Sequence, residues 1–349
     1  MAMTVYTALW GKRFAVNTIL EPEPPYHKTI FMGAQGVPIF GWVAIPENAH
    51  STIVGTYGIT GELGQEWYLS LLGRKAYAQG YAVVLFDWRA HGKTAELSPT
   101  LTSDGLYEGE DFVRIAATAA QMGCPRRFWF TGFSLGGQLA LWGLKTATDW
   151  GYEDLGINES DILGGAVICP SLDSWRSLTY LVKQPLGKHI EARIAGELKK
   201  LAWKLHDAHP GCFDPEAIKR ANSIWGFDEE LVIGRLGFSS VEAYYAASSA
   251  LQLLPTLSKP TLILYAADDP LFHPAIIPDL EAACAVNPAI DLLLTRYGGH
   301  VGYLSSQEGQ RQAQDPDPWW AWNRVLQWLE QQRQQKSYLP SSMLSIFPE

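Results

Sequence analysis

The stretch that decides the fold is Phe128-Trp129-Phe130-Thr131-Gly132-Phe133-Ser134-Leu135-Gly136-Gly137-Gln138-Leu139-Ala140. A short bulky run leads into a glycine-bracketed serine, and a run of helical character follows. Gly-x-Ser-x-Gly between a strand and a helix reads as a nucleophile elbow, where the serine sits on a strained turn and its neighbours two positions away must lack bulk. Gly132 and Gly136 meet that need. The helix that follows aims its first N–H groups at negative charge developing beside the serine. The N–H of Leu135, the residue after Ser134, is therefore one expected donor of an oxyanion hole.

Working outward from the elbow, apolar runs alternate with helical stretches. Thr29–Met32 and Ile39–Ile45 predict two antiparallel edge strands, and Thr52–Tyr57 a more deeply buried one. Its end, Tyr57-Gly58-Ile59-Thr60-Gly61, is a glycine-bracketed loop in which a backbone N–H can approach a ligand closely, and Ile59 is the expected second oxyanion donor. A helix over Glu66–Gln79, a strand over Tyr81–Phe86 and a helix over Tyr107–Met122 lead back to the elbow strand. Strands alternating with helices imply a mostly parallel sheet covered on both faces, with ligands at the carboxyl ends of its strands. Beyond Ile162–Cys169 the rhythm breaks into an aromatic-rich helical segment, then resumes with strands over Pro260–Tyr265 and Ile290–Thr295. Asp317 and Pro318 then open a closing helix as N-cap and first helical residue, with Trp319, Trp322, Leu326 and Leu329 on the face packed against the sheet. The organisation expected is an extended lead-in over 1–27, an α/β core over 28–170 and 255–335, a helical lid insertion over 171–254, and a tail over 336–349.

A serine hydroxyl is a weak nucleophile near neutrality and needs a base within reach, which in turn needs an orienting acid. Both follow the elbow in the order Ser, Asp, His. Ala267-Asp268-Asp269-Pro270 places two acids past the end of a buried strand, and Gly298-Gly299-His300-Val301-Gly302 places a histidine in the loop after the next strand. Asp269 is preferred because it stands directly before Pro270 where the loop leaves the strand, whereas Asp268 can bond loop backbone. His27, His50, His189, His206 and His209 have no such placement.

With 349 residues, 47% hydrophobic and 18% charged, the chain suits one large globular domain or a domain with an inserted lid. A net charge of −9 leaves no basic stripe for nucleic acid. Cys124, Cys169, Cys212 and Cys284 are far apart, without Cys-x-x-Cys spacing, and read as reduced, buried thiols rather than a disulfide framework or metal site. Gly11-Lys12-Arg13 interrupts any apolar leader, and no window reaches a bilayer-spanning length, so a cytoplasmic protein without an integral membrane segment is expected. The 14 tryptophans fit core and lid packing, and leave room for transient membrane contact through the lid or the Trp-rich closing helix.

On Gly132-Phe133-Ser134-Leu135-Gly136-Gly137, the segment from Gly237-Phe238 to Ser248-Ser249, Ala267–Pro270 and Gly298–Gly302, the chain resembles the α/β-hydrolases, and within them the YheT-like group of esterases and lipases. The resemblance runs from about residue 28 to about residue 310 and implies an α/β-hydrolase fold with a triad of Ser134, Asp269 and His300. It departs at two places: Tyr57 stands where the group usually has histidine, and Asp87-Trp88-Arg89-Ala90 where it usually has asparagine followed by Arg-Gly. The expected activity is hydrolysis of a small-molecule carboxylic ester or lipid with an apolar acyl chain, without cofactor or metal. Transfer of the acyl group to an alcohol or thiol, and a non-catalytic binding module on the same fold, are the competing readings.

Overall fold

The structure, a computed structural model, describes residues 2–149, 151 and 153–337. Eight strands, β1 (His27–Met32), β2 (Pro38–Ala44), β3 (Ser51–Thr56), β4 (Tyr81–Phe86), β5 (Phe128–Phe133), β6 (Ile162–Ile168), β7 (Thr261–Ala266) and β8 (Ile290–Thr295), form one sheet in the order β1-β2-β4-β3-β5-β6-β7-β8. β1 pairs antiparallel with β2 and β2 with β4, and every other pairing is parallel. Every residue of β3 to β7 is buried, which is why these strands are continuous apolar runs and not alternating ones. Exposure is confined to the flanks, and β1 alone forms the antiparallel edge, with β2 one place inside it.

Helices Trp67–Ala78, Glu108–Gln121, Leu135–Asp149 and Trp320–Ser337 join the sheet in one hydrophobic core. Trp319, Trp322, Leu326 and Leu329 are all buried in it. The closing helix begins at Trp320, two residues later than expected, because Trp319 is held in a bridge to Leu304. Asp317 still serves its start, with Oδ1 accepting from the Trp319 N–H at 3.0 Å and the Asn323 amide at 3.1 Å.

The lead-in corrects the sequence reading. Glu21–Pro25 is free of helix as its prolines require, but Ala2–Thr18 is a helix and not an extended strand of surface chain. Its inner face, including Thr7, Gly11 and Ala15, is buried. At Gly11 a Cβ would sit 2.8 Å from the Trp67 ring, so the glycine lets this helix lie close on the helix Trp67–Ala78.

Between β6 and β7 the chain is helical, with Ser174–Leu181, the long Pro185–Ala208 and shorter pieces through Val241–Ser248. These helices hold a second hydrophobic cluster around Leu198, Leu205, Phe227 and Tyr244, which also takes in Ala90, Ala95 and Leu101 from the loop after β4. The insertion is thus docked on the carboxyl-end loops of the sheet. Of the tail expected over 336–349, residues 338–349 lie outside the described residues.

Candidate active site

Ser134 occupies the turn between β5 and the helix Leu135–Asp149 with φ +55, the left-handed region that a side chain adopts only under constraint. The constraint is visible in the hydrogen bonds. The Ser134 N–H donates to Ile168 O at 3.1 Å, and Ser134 O accepts from the Ser171 N–H at 3.0 Å, which clamps the turn to the end of β6. A Cβ on Gly132 would lie 2.0 Å from Gly136 O, and one on Gly136 would lie 2.3 Å from Tyr57 O, so neither position admits a side chain. Gly58 is equally restricted, because a Cβ there would meet Ser134 Cβ at 2.9 Å.

That close approach brings the Tyr57–Gly61 loop against the elbow. Ile59, Ser134 and Leu135 line one cavity of about 100 Å³. Among the described residues, neither the Ile59 N–H nor the Leu135 N–H has an acceptor. Leu101, Leu181, Ile194, Leu198, Leu201 and Phe227 make the cavity wall apolar, and five of these six come from the helical insertion.

Asp269 and His300 meet as a pair. His300 Nδ1 and Asp269 Oδ2 are 2.7 Å apart, and Asp269 Oδ1 accepts from the Leu271 N–H at 2.9 Å. Asp268 faces the backbone of the same loop, its Oδ1 accepting from the Gly298 and Gly299 N–H groups at 2.9 and 2.7 Å. The His300 N–H donates to Thr4 Oγ1 at 2.8 Å, so the first helix also braces this loop. Burial alone would push the imidazole down, but the adjacent Asp269 carboxylate and Cys169 outweigh it and hold His300 well above its ordinary value. Phe272, which lines the cavity, packs edge-on against the His300 ring at 5.2 Å. Ser134 Oγ makes no hydrogen bond among the described residues, and catalytic contacts commonly tighten only when substrate is bound.

Several residues around this centre were missed by sequence reasoning. Cys169, with φ +41, follows Ile168 and so lies between the two residues that clamp Ser134. Its Sγ, one His300 ring nitrogen and an Asp269 oxygen all lie within 4.8 Å of one another. Among the described residues this trio is the group of donors close enough to hold a metal. The Asp269–His300 hydrogen bond already engages Nδ1, which leaves a cation only Nε2 on that ring. Cys212 also differs from expectation, since it is exposed while the other three thiols are free and buried.

His91 is the second residue missed. Its Nδ1 lies 2.9 Å from Arg89 O, a pure acceptor, and its Nε2 accepts from the Thr60 N–H at 3.1 Å, so the ring is neutral with its proton on Nδ1. Burial pushes it down to about 4, in keeping with that form. The Asp-x-Arg-x-His run directly after β4 was the available signal. The two departures from the family pattern touch each other: the Tyr57 hydroxyl donates to Asp87 Oδ1 at 2.6 Å, and Asp87 also accepts from the Leu63 and Lys93 N–H groups at 2.8 Å each. The Tyr57–Gly61 loop is therefore held from both sides, by His91 at Thr60 and by Asp87 at Tyr57.

Asp104 and Asp228 add two carboxyls to the cavity wall. Burial, then the charge of Glu108, pushes Asp104 up to about 7. Burial, then Asp104, holds Asp228 well above its usual range, and the Tyr245 hydroxyl donates to it. Near neutrality such a pair retains a proton.

Comparisons with known proteins identify the family of the fold. A model described as the alpha/beta hydrolase family matches residues 57–335. A Synechocystis sp. protein that carries a provisional esterase name is 54% identical over 338 residues, covering 95% of this chain and 92% of its own. Escherichia coli YheT, also provisionally named an esterase, is 27% identical over 49% of this chain and 48% of its own. The Mus musculus phospholipase ABHD3 is 25% identical over 86% of this chain and 73% of its own.

Proposed function

Because the chain belongs to the alpha/beta hydrolase family and is a carboxylic ester hydrolase, we propose that it works through an acyl-enzyme on Ser134, with His300 as general base and acid and Asp269 as its orienting acid. The observation that carries the reading is the Asp269–His300 hydrogen bond of 2.7 Å in a loop that packs, through Phe272, on the cavity containing Ser134.

Ser134 Oγ attacks the ester carbonyl as His300 Nε2 takes its proton. Asp269 holds Nδ1–H toward itself, so that Nε2 is the basic nitrogen, and steadies the imidazolium without becoming protonated. The carbonyl oxygen, now an oxyanion, receives the N–H groups of Ile59 and Leu135, each worth about 3–4 kcal/mol to the transition state in comparable sites. The imidazolium then protonates the leaving alcohol. Water, deprotonated by the same ring, attacks the acyl carbonyl and frees the acid and Ser134. The hydrogen bond between Ser134 Oγ and His300 Nε2 that this step needs would close as substrate binds.

The apolar wall favours an acyl chain over a charged group, and the relatives named as lipases and phospholipases support a lipid ester. The insertion would act as a lid that selects the chain. A fluorophosphonate probe tests the reading: it should label Ser134 covalently and stop turnover of short and medium acyl esters. Turnover persisting in Ser134→Ala would end it.

A further inference from the structure

The first helix turns a face to solvent that a freely soluble enzyme has little reason to keep. Val5, Tyr6, Leu9 and Trp10 are all exposed there, Leu9 at 65% and Trp10 at 51%. Residues 5 and 9, and 6 and 10, are one turn apart, so the four form a continuous stripe. Exposed Lys12 and Arg13 follow on the next turn, and the helix Ala2–Thr18 contains no Asp or Glu. The start of the insertion repeats this composition: Val182 and Leu186 are exposed, Lys183 and Lys188 stand beside them, and no acid occurs from 182 to 190. In a chain of net charge −9 these are local exceptions.

The two patches meet across a groove of about 390 Å³, with Val5 and Leu9 on one wall and Leu186 and Ile190 on the other. Ile194 and Leu271 border both this groove and the cavity that contains Ser134. The groove and the cavity that contains Ser134 thus share two side chains, Ile194 on the helix Pro185–Ala208 and Leu271 on the loop after β7.

We propose that this face docks on an anionic phospholipid bilayer and that the groove is the route by which a lipid ester enters the catalytic cavity. Leu9 and Trp10 enter the headgroup boundary, where an indole is at home, and Lys12, Arg13, Lys183 and Lys188 meet lipid phosphates. A second copy of the chain fits less well, because a two-fold contact through this helix sets Lys12 and Arg13 against their own copies with no acid on the helix to offset them. The docking stands on surface chemistry alone, whereas the delivery route rests on the hydrolase reading above.

The test uses the Ser134→Ala chain, so that lipid is not consumed, in co-sedimentation with phosphatidylglycerol/phosphatidylcholine vesicles and with phosphatidylcholine vesicles. Binding should favour the anionic vesicles and weaken with added salt. Leu9→Ser with Trp10→Ser should reduce it by about tenfold or more. Lys12→Gln with Arg13→Gln should reduce the preference for anionic lipid, and adding Lys183→Gln and Lys188→Gln should abolish it. With Ser134 restored, the Leu9/Trp10 variant should keep its turnover of a water-soluble butyrate ester, which also shows that it is folded, and lose turnover of an ester embedded in vesicles. Absence of vesicle binding by the parent chain, or binding unchanged in the Leu9/Trp10 variant, would overturn the proposal. A dimer in solution that this variant dissolves would assign the face to a second copy instead. Failure of the hydrolase reading would appear separately, as no turnover of the soluble ester with vesicle binding intact.

Discussion

Asp268 and Asp269 are adjacent and chemically identical, yet they face different partners. Asp269 holds the His300 ring, while Asp268 holds the backbone beneath it. Asp269→Asn is therefore expected to lower kcat by about 10³–10⁴, as loss of the orienting acid does in other triads, and Asp268→Asn by about tenfold or less. Steady-state kinetics on a soluble ester distinguishes the two. The pH profile provides a second check. His300 is held above 6.5, and a protonated ring cannot accept the Ser134 proton, so activity should rise with pH through a midpoint above 6.5. Cys169→Ala removes one of the groups that raise it, and the midpoint should move down. The same shift bears on stability: its contribution is fully present below 6.5 and is lost as pH rises through the folded value. At this scale the sequence was legible wherever glycine spacing marked a turn, as at Ser134 and His300. It was not legible at Tyr57 and Asp87, where two separate departures from a pattern become intelligible only once the side chains are seen in contact.

The insertion supplies most of the cavity wall, so its residues should govern chain length. Leu201→Trp is expected to reduce kcat/KM for an octanoate ester by about tenfold to a hundredfold while sparing acetate, a difference read from paired kinetics. Asp104 gives a stability test on the same wall. Its folded value of about 7 exceeds the usual 3.8, so the folded state binds the proton more tightly, and stability is eroded as pH rises between those values. Asp104→Asn does not ionise, so it should be more stable than the parent at pH 8, with the gain vanishing below pH 4. Thermal melts across that range would show it. The strands could be read from their apolar runs between glycines and prolines, but the first helix could not. Its buried positions include Thr7 and Gly11 while its exposed ones include Leu9 and Trp10, so apolar residues fall on both faces and no helical period stands out.

Over the whole molecule, the sheet brings Asp269 and His300 into contact at its carboxyl edge from two successive strand ends, a pairing that strand order anticipates once the alternation is recognised. What strand order could not convey was the company His300 keeps, because Cys169 belongs to another strand end and carries no spacing signal. Dialysis against a chelator should leave ester turnover unchanged within about twofold. Loss of activity with recovery on adding zinc would instead make Cys169, Asp269 and His300 a metal site. The contact between Thr4 and His300 ties the first helix to the loop that carries His300, across 296 positions of sequence. A protease that clips the chain near residue 20 would leave every strand in place and still remove a support of His300, the proposed base. Such a nick would act as an off-switch, visible by mass spectrometry as a trimmed chain that stays folded, binds the fluorophosphonate slowly and turns over poorly.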